Sequence, residues 1–511
     1  MNPVNNRQVL IASAIIILVY AILIFSTNLF PFVDLPNHLA ESTVFKYYGD
    51  EGSPISDYYV PVPWYFPNTF HVVFCALFPT VEMGNRMFLL LCTASLLGSM
   101  YLIIRELKGN LWYGLLALLF IFNYNVSFGF TGFAIAIPTT LLLFYVILLD
   151  VRKNTIALKV YIAIILILLF LMHAQVALLG LVIYGLMMLY RYWGNIPALI
   201  VRAVLVPLPL IALIFIWWFT RDQEKEESTF GYLMEYYKKQ FFQELFMRYR
   251  LVFFDNFQLR DGSAGFLIGA AFFSLILIPL FVYRKSWKLP KFRNLPTSGL
   301  IYPLIFFISV FACYALSPTR LPGQWPLSDR FCTLVNLSLI VIGSVLLKDV
   351  NTRFLKILVI AAAVVYTVAW GEYLYDFNKK TRDLTPALFD SVPPEAVLSG
   401  LMYNHTFRGR QVYIHYPNYH LVWNRGLATT KAIDYRFGVI RRGPQGDKIP
   451  IYNELVGVKF SDNSALYDTS VHYLLVKGKA PVQPDPNLRN FKLQKVSGEW
   501  SLYQNAFLTP R

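Results

Sequence analysis

The residues best suited to chemistry are few, and they stand at the edges of apolar runs. Asp34 lies in Pro31-Phe32-Val33-Asp34-Leu35-Pro36-Asn37-His38-Leu39, directly after an apolar stretch from Val9 to Phe30. Further polar breaks occur at Asn123, Tyr124, Asn125 and Ser127, at His173 and Gln175, and between Ser317 and Phe331, where Arg320 and Arg330 fall. A carboxylate is a general base for an acceptor nucleophile, and a guanidinium is the planar, bidentate partner of a phosphate. With a lipid phosphate as leaving group, Arg330 or Arg320 would neutralise the charge growing on it and Asp34 would deprotonate the acceptor. His38 or His173 would orient either partner, with Asn37, Asn123, Asn125 and Gln175 as further donor contacts. Plainer roles are open to the same residues. Asp34 ahead of Pro36 is a good helix N-cap, and His38, four residues on, would share its helix face. His173 could be a satisfied residue at a helix turn, and Arg330 could snorkel to headgroups.

Composition decides what holds these groups. The chain has 511 residues, 56% of them apolar and 17% aromatic, with a net charge of +15. Only 15% are charged, against about 25% in an ordinary soluble domain, which excludes a water-soluble enzyme. Disorder is excluded because it requires low hydrophobicity and high charge. Cys75, Cys92, Cys313 and Cys332 lie in apolar runs without zinc-type spacing and read as small core hydrophobes.

A bilayer core needs about 20 apolar residues per helix. The stretch from Val9 to Phe30 meets this without a cleavage site after it, and reads as an anchor rather than a removed signal. Further spans are expected at 87–104, 111–123, 132–150, 157–173, 174–190, 203–220, 265–283, 299–316, 331–348 and 354–375, eleven in all. The apolar run from Val160 to Tyr190 would be roughly 46 Å long as one helix, and basic residues flank both ends, so the chain must turn back at His173-Ala174-Gln175. The segment 70–83 is read as a helix lying in the outer interface. That choice puts Arg105/Lys108, Arg152/Lys153, Arg284/Lys285/Lys288/Lys291/Arg293 and Lys348/Arg353 all inside, as the positive-inside rule demands.

The amino terminus is then cytoplasmic, and the external parts are a loop at 31–86, a loop at 221–264 and the tail. Residues 1–376 form the membrane module and 377–511 an external domain. In the 221–264 loop, YYKKQFFQELFMRYR suits an amphipathic helix on the membrane and equally a solvated surface helix. The tail has turn signals at 393–394, 424–426 and 442–447 between short runs such as Gln411–His415 and Val471–Val476, which predicts a mixed α/β fold. All seven histidines fall on the external side of this map.

This layout resembles the GT-C superfamily of lipid-dependent glycosyltransferases, which includes protein O-mannosyltransferases, oligosaccharyltransferases and aminoarabinose transferases. The layout likeness covers the whole chain; at residue level it rests on Asp34 in VDLPNHL and Arg330 in SDRF. The fold it implies is a polytopic α-helical membrane protein with a C-terminal mixed α/β domain. The activity it implies is inverting hexosyl or pentosyl transfer from a polyprenyl-phosphate donor to a lipid, glycan or protein acceptor at the external face of a bacterial inner membrane. Asp34 matches the family's first-loop catalytic acid. No nucleic-acid partner is expected. Metal-dependent members carry further acids in the first two external loops, whereas here Leu35 follows Asp34 and the segment from Asn123 to Gly129 has no carboxylate. A hard divalent cation prefers several oxygen ligands, so a metal-free site without other cofactors is expected, although Glu41 keeps the alternative open. The rival classes are a transporter or flippase of lipid-linked sugars, which predicts charges near span midpoints and an inverted repeat, and a non-catalytic assembly subunit.

Overall fold

The computed structural model describes residues 3–220, 229–253, 256, 263–282, 299–321, 324–350, 353–434, 438–450, 470–479 and 486–508. The run 221–228 and the basic cluster Arg284/Lys285/Lys288/Lys291/Arg293 lie outside these. The chain forms two compact units. One comprises Met1–Ile22, Leu89–Val126 and Gly132–Trp370; the other comprises Leu23–Phe88, Ser127–Thr131 and Gly371–Arg511.

Among the described residues, seven helices are long and apolar enough to cross a membrane: Asn6–Ser26, Val81–Glu106, Leu111–Phe128, Thr131–Lys153, Ala174–Tyr192, Ser328–Leu346 and Arg353–Phe389. Ile196–Leu205 and Leu208–Thr220 form a pair bent by 44°, as expected where Pro207 removes a backbone donor. Ile156–Met172, Leu267–Val282 and Ile301–Leu316 are shorter apolar helices. Each expected span thus coincides with helix, but length and hydropathy mark seven of them, or eight with the bent pair.

The reversal at His173 is present. Helix Ile156–Met172 ends there and Ala174–Tyr192 begins. A Cβ on Gly180 would lie 3.1 Å from Leu166 and 3.2 Å from Leu169, whereas in one continuous helix residues eleven apart are about 16 Å apart.

The expected interfacial helix at 70–83 is shorter. It covers Thr69–Ala76, because Pro79 ends the run and Thr80 starts the next helix by accepting the Met83 N–H at 3.1 Å. A helix of eight residues rises about 12 Å, too little to span. The aromatic, charged stretch of the 221–264 loop likewise forms two helices, Thr229–Lys239 and Phe241–Phe253. All four cysteines are free thiols.

The second unit holds the strands. These are β1 (Tyr59–Pro61), β2 (Val397–Met402), β3 (Thr406–Phe407), β4 (Arg410–Gln411), β5 (Leu427–Ala428), β6 (Ile440–Arg442), β7 (Tyr473–Lys477), β8 (Phe491–Ser497) and β9 (Trp500–Asn505). A sheet runs in the order β5-β2-β7-β9-β8, parallel across β5, β2 and β7 and antiparallel across β9 and β8. Strand β7 is buried throughout, which is why YLLVK reads as continuous rather than alternating. The outer strand β8 carries Lys492 and Lys495, charges that discourage further pairing at an edge. The expected run Gln411–His415 is not a strand: β4 stops at Gln411 and the chain turns into a 3-10 helix, Tyr416–Asn418.

Candidate active site

The second unit positions Asp34. Helix α1 (Pro3–Ser26) ends, and α2 (Leu35–Tyr47) starts at Asp34 with Pro36 in its first turn. Asp34 occupies the N-cap position, yet its side chain makes no capping bond. The carboxylate instead accepts from His415 Nε2, with Oδ1 at 3.2 Å. The backbone of Asp34 is held separately. Its N–H donates to the Phe128 carbonyl at 3.0 Å, and that of Val33 donates to Ser127 at 3.3 Å. Gly129 permits this approach: its φ is +83°, and a Cβ would lie 2.8 Å from Asp34 N. Arg410 Nη2 ties in the same loop by donating to Ser127 Oγ at 2.7 Å.

The Asp34 side chain is 31% exposed, while that of His415 is 1% exposed. Burial works to raise the carboxyl pKa. The His415 bond and the charges of His415, His38 and Lys431 outweigh it, so Asp34 titrates below the usual carboxylate range. The carboxylate is therefore ionised at neutral pH and still partly accessible, which a base requires.

The other expected residues of this loop are otherwise engaged. His38 Nδ1 bonds Glu41 Oε2 at 2.7 Å, while its backbone N–H donates to the Asp34 carbonyl at 3.2 Å and its charge helps to lower the Asp34 pKa. Asn37 Oδ1 accepts from Asn418 Nδ2 at 2.5 Å and from Thr430 Oγ1 at 3.3 Å. Its carbonyl is thus taken by the tail. Sequence reasoning missed His415, Asn418, Lys431 and Arg410. Only His415 was touched by a signal, the gathering of every histidine on a single side of the predicted map.

The first unit holds a second polar cluster. Arg330 lies in the turn Ser328–Phe331 ahead of the helix Cys332–Leu346 and is 8% exposed. Its Nε donates to the Pro326 carbonyl at 2.6 Å and its Nη1 meets His173 Nε2 at 3.0 Å. Its own carbonyl accepts from Asn125 Nδ2 at 2.9 Å. Arg330, His173 and Asn125 are thus joined. Gly132 admits the His173 turn, since a Cβ there would lie 2.2 Å from the Met172 carbonyl oxygen.

A guanidinium only donates, so His173 Nε2 accepts and its proton sits on Nδ1. That Nδ1, together with Asn125 Oδ1 and Gln175 Oε1, is buried without a hydrogen-bond partner among the described residues. Buried polar groups are normally satisfied. One donor and one acceptor are therefore available at this cluster to a polar ligand, and Gln175, two residues beyond His173, holds a further unpartnered acceptor among the described residues.

Asn123 differs. Its Oδ1 accepts from the backbone of Asn125 and Val126, and its Nδ2 donates to the Phe120 carbonyl at 2.7 Å. Its amide builds the turn. Arg320 is exposed and apart from the Arg330 bonds. Also missed was Arg248, which donates to the carbonyls of Tyr314 and Ala315 at 2.8 Å and to Thr319 Oγ1 at 3.1 Å, fixing the chain ahead of the Arg330 segment. Among the described residues no three His, Cys, Asp or Glu side chains are grouped as a metal ion would need.

These apolar helices with a strand-bearing tail define a multi-pass membrane protein. No family model matches the sequence, and no curated protein is similar to it. Solved structures do match in fold. The crystal structure of ArnT from Cupriavidus metallidurans bound to undecaprenyl phosphate aligns with a TM-score of 0.57 and 13% identity, covering 97% of this chain and 97% of that one. The apo state of the same ArnT gives 0.55 and 12%, with the same coverage. At this identity the likeness is one of fold: the chain shares the fold of the ArnT structures over 97% of its length, and its C-terminal part carries strands.

Proposed function

We propose that the protein is an inverting glycosyltransferase that moves a hexosyl or pentosyl group from a polyprenyl phosphate to an acceptor at the external face of a bacterial inner membrane. The observation that carries this reading is the state of Asp34: ionised, 31% exposed, free of capping and held by His415. Asp34 takes the proton from an acceptor hydroxyl as its oxygen bonds the anomeric carbon. The bond from that carbon to the phosphate oxygen breaks, and its electron pair leaves with the phosphate. Arg330 balances the charge on that leaving group.

The unpartnered groups fit the same donor. His173 Nδ1–H suits a phosphate oxygen, which only accepts. Asn125 Oδ1 and Gln175 Oε1 suit sugar hydroxyls, which donate. The undecaprenyl phosphate named in the ArnT structure supports a polyprenyl carrier. Asp34 has imidazole rather than carboxylate partners, a poor set for a hard divalent cation, so this mechanism uses no metal. In this reading residues 377–511 lie outside and the amino terminus is cytoplasmic.

The test is label transfer in membranes containing the chain, given undecaprenyl phosphates that carry radiolabelled hexoses or pentoses. Asp34→Asn should abolish transfer at unchanged expression. Wild-type transfer by that variant removes Asp34 from the reaction.

A further inference from the structure

We propose that His415, supplied by the tail, is a positioning residue for Asp34: it holds one carboxylate oxygen so that the other faces the acceptor hydroxyl. The inference rests on the reading of Asp34 as base and adds to it a tail residue that fixes the base's rotation. Two paired rungs carry it. Asp34 meets His415, and Asn37 meets Asn418, each pair separated by 381 positions. Asn37 lies three residues after Asp34 on α2, and Asn418 three residues after His415 on the 3-10 turn. Residues three apart on a helix point the same way, so the first turn of α2 and the tail's turn are locked side by side.

The turn itself is rigid. Asn418 N–H donates to the His415 carbonyl at 3.2 Å, and Tyr416, buried beneath, stacks on Trp500 with ring centroids 5.5 Å apart. Asn37 and Asn418 are both buried. A carboxylate is free to rotate about its last torsion, which is broad and roughly two-fold. The buried Nε2–H of His415 removes that freedom at Oδ1. During transfer the proton goes to Asp34 and not to His415, whose bond stabilises the orientation of the base before and after.

Other titrating or charged groups around α2 are accounted for. His38 is turned to Glu41 on α2 itself, and Lys431 adds positive charge to Asp34. His71, on the helix Thr69–Ala76, is pushed by burial to about 3, and His420, on the helix Tyr419–Asn424, to about 4. Neither changes charge between pH 5 and 8.

The test uses the full chain in nanodiscs and two measurements. In the label-transfer assay, His415→Ala should lower turnover roughly ten- to a hundredfold, since a small misplacement of a reacting group costs up to about a hundredfold, and should move the acidic limb of the pH profile upward. His415→Gln, whose amide N–H can replace Nε2–H, should restore much of both. An unchanged limb in His415→Ala overturns the proposal. The second measurement needs no activity. In a thermal-stability cycle of Asp34→Ala and His415→Ala, coupled effects support the pair and additive effects overturn it. Should wild-type membranes transfer no sugar at all, the functional reading fails, while the cycle still decides whether the two residues act together.

Discussion

Arg330→Lys separates charge from geometry. In the native side chain Nε donates to the Pro326 carbonyl at 2.6 Å while Nη1 meets His173 at 3.0 Å. An ammonium is a single centre on a flexible stem, and it cannot hold two partners that the guanidinium fork reaches from different nitrogens. At least one charged hydrogen bond is lost, at a side chain that is almost fully buried. Such bonds contribute about 1.5–3 kcal/mol. If the fork orients the leaving phosphate, a loss of this size in the transition state lowers turnover roughly ten- to 150-fold, at about 1.4 kcal/mol per factor of ten. The assay is transfer of label from undecaprenyl-phosphate sugars in membranes, normalised to the amount of chain. Arg330→Gln should fall further, because it removes the charge as well. Wild-type turnover in Arg330→Lys would mean that positive charge alone suffices, and the clamp argument would fail.

Other outcomes follow from the second unit. Gly129→Ala places a Cβ 2.8 Å from Asp34 N at a φ of +83°, a strain of about 1–3 kcal/mol; the unfolding midpoint and transfer should both drop. Gly98→Ala, with open space around it, should leave both alone, and equal behaviour of the two variants contradicts the packing argument. Because the folded pKa of Asp34 is depressed, its contribution to stability is present above the ordinary value of about 3.9 and is lost as pH falls through the lower folded value. Transfer should therefore show no limb from Asp34 between pH 5 and 8, and a limb there that survives His415→Gln unchanged would point to another base. Lys477 is 1% exposed, bonds Glu499 at 2.8 Å and lies over the Tyr413 ring at 4.2 Å, whereas Glu499 is 42% exposed. Glu499→Gln should destabilise the chain more than Lys477→Met, since only the former leaves a buried cation unpaired. The reverse order of unfolding midpoints would count against that asymmetry.

The membrane body was legible because its signal is one-dimensional. A run of apolar residues either fills a bilayer or does not, and the run from Val160 to Tyr190 was too long for one crossing, so a break at His173 was forced. The breaks at Pro79 and Gln240 escaped because they cost a few residues of helix without changing the hydropathy around them. Asp34 and Arg330 were legible for a related reason: an ionisable group at the edge of an apolar run is expensive and stands out. Their partners did not stand out. His415 is one of seven histidines, and only the folded tail turn selects it. The amides show the deeper limit. Asn37, Asn123 and Asn125 are alike in sequence and all buried, yet the first two have their carbonyl oxygens taken by the protein while Asn125 Oδ1 has no partner among the described residues. A buried polar group left unsatisfied costs about 1–3 kcal/mol. In a buried polar cluster, the atoms still lacking a partner mark where a ligand would bind most favourably. In the proposed reaction Asn125 Oδ1, Gln175 Oε1 and His173 Nδ1 would meet the donor's sugar and phosphate, whereas the Asn123 amide, alike in sequence, is spent on the turn.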